Sequence, residues 1–113
     1  MANPSEMPAA APLAPLALST YQDGAVVSRT LLKRGGGTLT LFAFDEGQSL
    51  SEHTAPFDAI AQVLEGEALV TIAGVAVTLR AGDMVLMPAN QPHAVHAASR
   101  FKMLLTMIRA AQG

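Results

Sequence analysis

The side chains in this sequence with the widest chemical reach are three imidazoles, His53, His93 and His96, and they are the only histidines in the chain. A neutral imidazole donates one hydrogen bond and accepts another, ligates divalent ions, and exchanges a proton near neutral pH. There is no cysteine. Disulfide frameworks, thiolate metal sites and thiol nucleophiles are therefore excluded. No Ser-His-Asp arrangement, phosphate-cradling glycine loop or paired-carboxylate site is recognisable. Any chemistry thus rests on His53 and on His93, forty positions later. His96 lies three residues beyond His93, and along an extended strand that offset turns it to the opposite face.

Two histidines so far apart meet only if a rigid scaffold brings them together. The chain has 113 residues and a mass of 11.7 kDa, enough for one compact domain. Half of its residues are hydrophobic and 14% are charged, so it is not a disordered polyelectrolyte. The formal net charge of −2 disfavours nucleic acid as a partner. No apolar run reaches membrane-spanning length, and the start of the chain lacks the positive charge of a secretory signal, so a cytoplasmic protein is expected. Residues 1–20 form a Pro/Ala-rich arm, read as extended because Pro8, Pro12 and Pro15 forbid a continuous helix. Leu13, Leu16 and Leu18 offer it a docking edge on the domain or on a partner subunit.

Residues 21–113 read as one all-β domain. Strand patterns cover 38–44, 57–64, 67–72, 75–80, 83–87, 93–97 and 101–109. Ala73-Gly74 suits a tight hairpin, and the RGGG, EGE, AGD and PANQP stretches are turn-formers. Many short strands at near-regular spacing imply an antiparallel sandwich or barrel. Charge is unevenly placed: seven acids and one base lie between Asp45 and Asp83, and three bases and no acid follow. Cross-strand pairing within a small barrel accounts for that pattern.

Two stretches carry a family resemblance. Gly47 is followed by five residues and His53, and the segment closes on Gly66 inside VLEGE. Gly82 is followed by five residues and Pro88, then Asn90 and His93. This framing, over about residues 38–107, resembles the two motifs of the cupins, and in particular the small single-domain RmlC-like members. The resemblance implies an antiparallel double-stranded β-helix, a jelly-roll barrel. Asn90 stands where the family has glycine, and asparagine is the next most tolerant of a left-handed backbone.

Metal-binding cupins draw two His and a Glu from the first motif and one His from the second. Here His53 and His93 match, but Ala55 stands at the second His place and Ala59 at the Glu place. Gln62, His96, Glu52 and Asp58 are out of parity with the inward positions. No metal cofactor is expected; the alternative is a weakly held divalent ion on His53 and His93. The substitutions widen the interior instead. Ala55, Ala59, Ala61, Met84 and Met103 are expected to line an apolar cavity with His53 and His93 as its polar contacts, Met107 adding to it. The expected function is binding of a small apolar or mixed molecule. The alternatives are a metal-dependent dioxygenase, isomerase or decarboxylase using the two histidines, or a sensor module acting through another protein. Ile60, Gln62 and Leu64 give one strand an outward face expected to pair two copies as a homodimer.

Overall fold

The computed structural model of the chain describes residues 6–110; the first five residues of the arm and the last three of the chain lie outside it. Among the described residues, nine strands follow in order: β1 Val26–Arg34, β2 Gly37–Phe44, β3 Ser49–His53, β4 Phe57–Glu65, β5 Glu67–Ile72, β6 Val75–Arg80, β7 Met84–Met87, β8 His93–Ala97 and β9 Phe101–Arg109. They form a five-stranded sheet ordered β1-β2-β9-β4-β7 and a four-stranded sheet ordered β3-β8-β5-β6. Every pairing is antiparallel. The two sheets face each other as the jelly-roll barrel that the motif spacing implies. Among the described residues, no helix is long and apolar enough to cross a membrane.

Alternation along each strand builds the core. In β4, Ala59, Ala61 and Val63 are buried while Asp58, Ile60 and Gln62 are only partly so. In β5, Ala68 and Val70 point inward and Leu69 outward. Phe44 and Phe101 stack at the closed end with ring centroids 4.5 Å apart. Ala73 and Gly74, both with positive φ (48° and 82°), join β5 to β6 in the two-residue hairpin expected there. The acid–base asymmetry resolves partly where Arg100 of the basic segment donates to Asp45 of the acidic one at 2.7 Å, beside the paired ends of β2 and β9.

Two strands are additions to the sequence reading. β1 is an edge strand of mixed polarity whose register shifts at Leu31, which breaks its alternation. β3 is short, polar and largely exposed, and its pairing with β8 also shifts register. Neither displays the periodic apolar face by which strands are recognised.

The arm runs beside β1, with Met7 N–H donating to the Leu31 carbonyl at 2.8 Å. A single 3-10 turn occupies Pro15–Ala17. Beneath it lies a second small core on the outer side of the large sheet. Leu41 and Ala43 face away from the barrel interior and are fully buried. Ala43 opposes Lys102, which is only 7% exposed. The Lys102 ammonium donates to the carbonyls of Leu16 and Ser19, both at 2.7 Å, and lies 5.1 Å from the Tyr21 ring centroid. A buried cation is tolerated only when such acceptors surround it. Leu13 and Leu18 are half-buried here, whereas Leu16 stays exposed.

Candidate functional site

His53 ends β3 and His93 begins β8, and the two residues are direct register partners. Their rings meet edge to face, with centroids 4.4 Å apart and planes inclined at 67°. The structure thus brings the two imidazoles together, well inside the ~10 Å that one ion or small polar group can bridge. His93 is 7% exposed, whereas His53 lies at the surface. The turn before β8 is fixed by Asn90, whose φ of 64° is the left-handed conformation expected of it. Its N–H donates to the Ala55 carbonyl at 2.8 Å, and Ala89 N–H donates to Asp58 Oδ1 at 2.9 Å. These bonds tie the β7–β8 turn to the segment entering β4, and so set both halves of the site.

The two imidazoles border a cavity of about 250 Å³ between the sheets. Leu50 and His53 of β3 and His93 and Val95 of β8 form one wall. Phe57 and Ala59 of β4, Met87 of β7, and Met103, Leu105 and Met107 of β9 form the other, with Ala55 on the connecting segment. Apart from the two imidazoles the lining side chains are apolar.

His53, His93, Ala55, Ala59 and Met103 therefore stand together around one space, as does Met107. Two assignments need correction. Met84 is 60% exposed: it opposes Gln62, which faces outward, so the same register turns Met84 away from the cavity. Ala61 is fully buried and faces inward, but it packs in the closed core one pleat beyond the cavity. Leu50, Phe57, Met87, Val95 and Leu105 are wall residues the sequence reading missed. Inward parity within β8 and β9 pointed to Val95 and Leu105; the others depend on which strands face each other across the barrel. His96 faces outward as expected, its Nδ1 2.6 Å from Ser49 Oγ.

Burial pulls the His93 imidazole below its ordinary 6.5, because desolvation penalises the cation; the Gln91 carbonyl opposes this and the neighbouring His53 charge adds to it. The unfolded chain thus takes up this proton more readily than the folded one. The stability contributed is complete above about pH 6.5 and is lost as pH falls through the lower, folded value. The urea midpoint of the protein should consequently fall between pH 7.5 and 5.5, and fall less in His93→Gln. An equal loss in both would assign the acid sensitivity to other groups.

A divalent ion of the kind the motif positions imply does not fit these residues. Ala55 and Ala59 place methyl groups where a second imidazole and a carboxylate would be needed. Among the described residues, no group of three or more His, Cys, Asp or Glu converges to hold an ion. Two imidazoles alone fall short of the three or four protein ligands that zinc requires, and lack the carboxylate of a two-His iron site.

Residues 40–109 match the cupin domain family model. A conserved protein of unknown function from Streptococcus pyogenes is similar at 30% identity over 99% of this chain and 98% of its own, with a TM-score of 0.89. A cupin superfamily protein from Desulfitobacterium hafniense is similar at 30% identity over 93% and 96% of the two chains, with a TM-score of 0.86. A predicted oxalate decarboxylase from Thermotoga maritima, 19% identical over 75% of this chain and 81% of its own with a TM-score of 0.71, shares the fold alone. No curated protein matches the chain. Match and motif spacing agree with the paired sheets and the Gly47–His53 and Gly82–His93 frames: the chain belongs to the cupin family.

Proposed function

We propose that this protein binds a small, mainly apolar molecule between its sheets and holds no stoichiometric metal ion. The observation that supports this most directly is the cavity of about 250 Å³, whose walls are aliphatic, thioether and aromatic, with polarity confined to His53 and His93. An apolar enclosure with a few convergent polar groups is the usual form of a small-molecule site. The reading has a direct test by protein-observed NMR against a library of monocyclic aromatic and short aliphatic fragments. Binders should shift resonances of Val95, Met103 and Met107. In Ala55→Leu, which adds bulk at the cavity wall, affinity should fall at least tenfold, corresponding to about 1.4 kcal/mol. Fragments that shift only surface residues, or that bind Ala55→Leu equally well, would count against the barrel interior as the site.

We further propose that the protein pairs as a homodimer through the outer face of β9, β4 and β7. Met84, Leu86 and Ile108 are 60%, 54% and 51% exposed there. Ile60 lies between Leu86 and Thr106 in the same row. Leu64 falls where the β4–β9 register shifts, so the apolar face is carried by β7 and β9 more than by Leu64. A self-complementary patch of this kind suits a two-fold partner. Sedimentation at micromolar concentration should give twice the 11.7 kDa chain mass, and Leu86→Glu should halve it. A monomer in the unmodified protein refutes the pairing.

A further inference from the structure

The hydrogen bonds made by the two imidazoles fix which edge of each ring meets a ligand. His53 Nδ1 lies 2.8 Å from the Ser51 carbonyl oxygen, and His93 Nδ1 lies 3.2 Å from the Gln91 carbonyl oxygen. A carbonyl oxygen only accepts, so in both neutral rings Nδ1 carries the proton. Each Nε2 then presents a lone pair. Among the described residues neither Nε2 has a protein partner. The arrangement is the same in both rings: each Nδ1 is bound to the carbonyl two residues earlier in the chain, Ser51 within β3 and Gln91 in the turn before β8, and each distal nitrogen is left as an acceptor.

We infer that the cavity selects a neutral ligand bearing a hydroxyl donor on an aromatic ring, a phenol, whose O–H donates to Nε2 of His93. This rests on the reading of the barrel interior as a ligand site. An ether or ketone oxygen would set its lone pairs against those of Nε2, and on displacing water from the cavity would leave that acceptor unpaired. No lysine or arginine lines the cavity to pair a carboxylate, and no aspartate or glutamate lines it to pair an ammonium, so a charged ligand would be desolvated without compensation. His93 is the acceptor that a bound ligand would cut off from water, because the residue is 7% exposed; the exposed His53 stays within reach of solvent. Met87, Met103 and Met107 stand with Phe57 around the remaining space. Thioether sulfur packs favourably on aromatic rings and adapts to their outline. A cavity of about 150 Å³ is already large enough for benzene, so about 250 Å³ takes one ring with small substituents.

The test uses three probes of nearly the same shape on the intact protein: 4-methylphenol, 4-methylanisole and toluene, each titrated by calorimetry. 4-Methylphenol is expected to bind at least tenfold more tightly than the other two, and in His93→Leu that preference should shrink to less than threefold. If the methyl ether binds as tightly as the phenol, donor selection is wrong while the apolar site stands. If none of the three binds, the ligand-site reading falls and this inference with it. Long-range proton–nitrogen correlation spectra of the ligand-free protein, at about pH 8 where imidazoles are neutral, supply a second readout that needs no variant. Both rings should show the Nδ1–H tautomer; an Nε2–H form in His93 would overturn the assignment.

Discussion

Replacing Ala55 with His and Ala59 with Glu is expected to give this barrel a tight divalent site and to make its stability depend on metal. Both alanines border the cavity that His53 and His93 enter, so the new side chains would converge on the imidazoles with no change of backbone. Ala59 is 4% exposed, so the new carboxylate is buried. Without an ion the double variant carries an unpaired buried charge, and the expected cost is about 3–5 kcal/mol. An ion present at a hundredfold its dissociation constant restores about 2.7 kcal/mol. The thermal midpoint of the double variant should therefore rise by several degrees with Zn²⁺ or Co²⁺, while that of the unmodified protein stays still. Plasma mass spectrometry after dialysis against chelator should find well under one ion per chain in the unmodified protein. An ion firmly retained there would overturn the ligand-count argument and return attention to a metal-dependent activity.

Gly66→Ala is expected to be the most damaging glycine-to-alanine change among the described residues. Gly66 links β4 to β5 with φ at +81°, and a Cβ there would overlap the Arg100 carbonyl oxygen and come within 2.8 Å of Phe101. Phe101 is fully buried and stacked on Phe44, so it has no room to retreat. Left-handed strain and overpacking each cost about 1–3 kcal/mol, giving an expected loss near ~4 kcal/mol, a large share of the ~5–15 kcal/mol that holds a typical domain folded. Gly82→Ala separates the two contributions. Its φ is +94°, but nothing lies within 4 Å of the added methyl, so it suffers the dihedral strain alone. Guanidinium midpoints for the pair should differ clearly; equal losses would show that the close approach of Arg100 and Phe101 carries no weight.

The parts of the molecule that were legible in advance were those where one residue type has one physical job. Gly47, Gly66, Gly82 and Pro88 mark turns whose spacing sets the frame, and that frame brought His53 and His93 to one place. Strict alternation in β4 put Ala59 and Val63 inside and Gln62 outside. Structure and sequence part where the answer depends on pairing between strands. Parity orders β7 internally, but only its register against β4 tells that Met84 sits opposite Gln62 and not opposite Ala61. β1 and β3 are hard to read from sequence because each carries a register shift, and because β3 lies mostly in solvent while β1 has mixed polarity at a sheet edge. Met87 and Phe57 became cavity walls through the closing of one sheet over the other, which no single segment encodes.

The fastening of the arm has a consequence for its composition. The Lys102 ammonium is held by the main-chain oxygens of Leu16 and Ser19 and by no arm carboxylate. Every amino acid supplies the same carbonyl, so the latch is written in the path of the backbone and is largely indifferent to the letters that spell it. What it does demand is geometry: a 3-10 turn over Pro15–Ala17 that delivers two oxygens, three positions apart, to one nitrogen. A stretch rich in proline and alanine meets that demand well, because proline restricts the wandering of the free chain and alanine asks for no partner of its own. The proline- and alanine-rich composition of residues 6–20 is thus compatible with a fixed seat on the barrel, with tolerance for substitution and little for insertion between the two carbonyls.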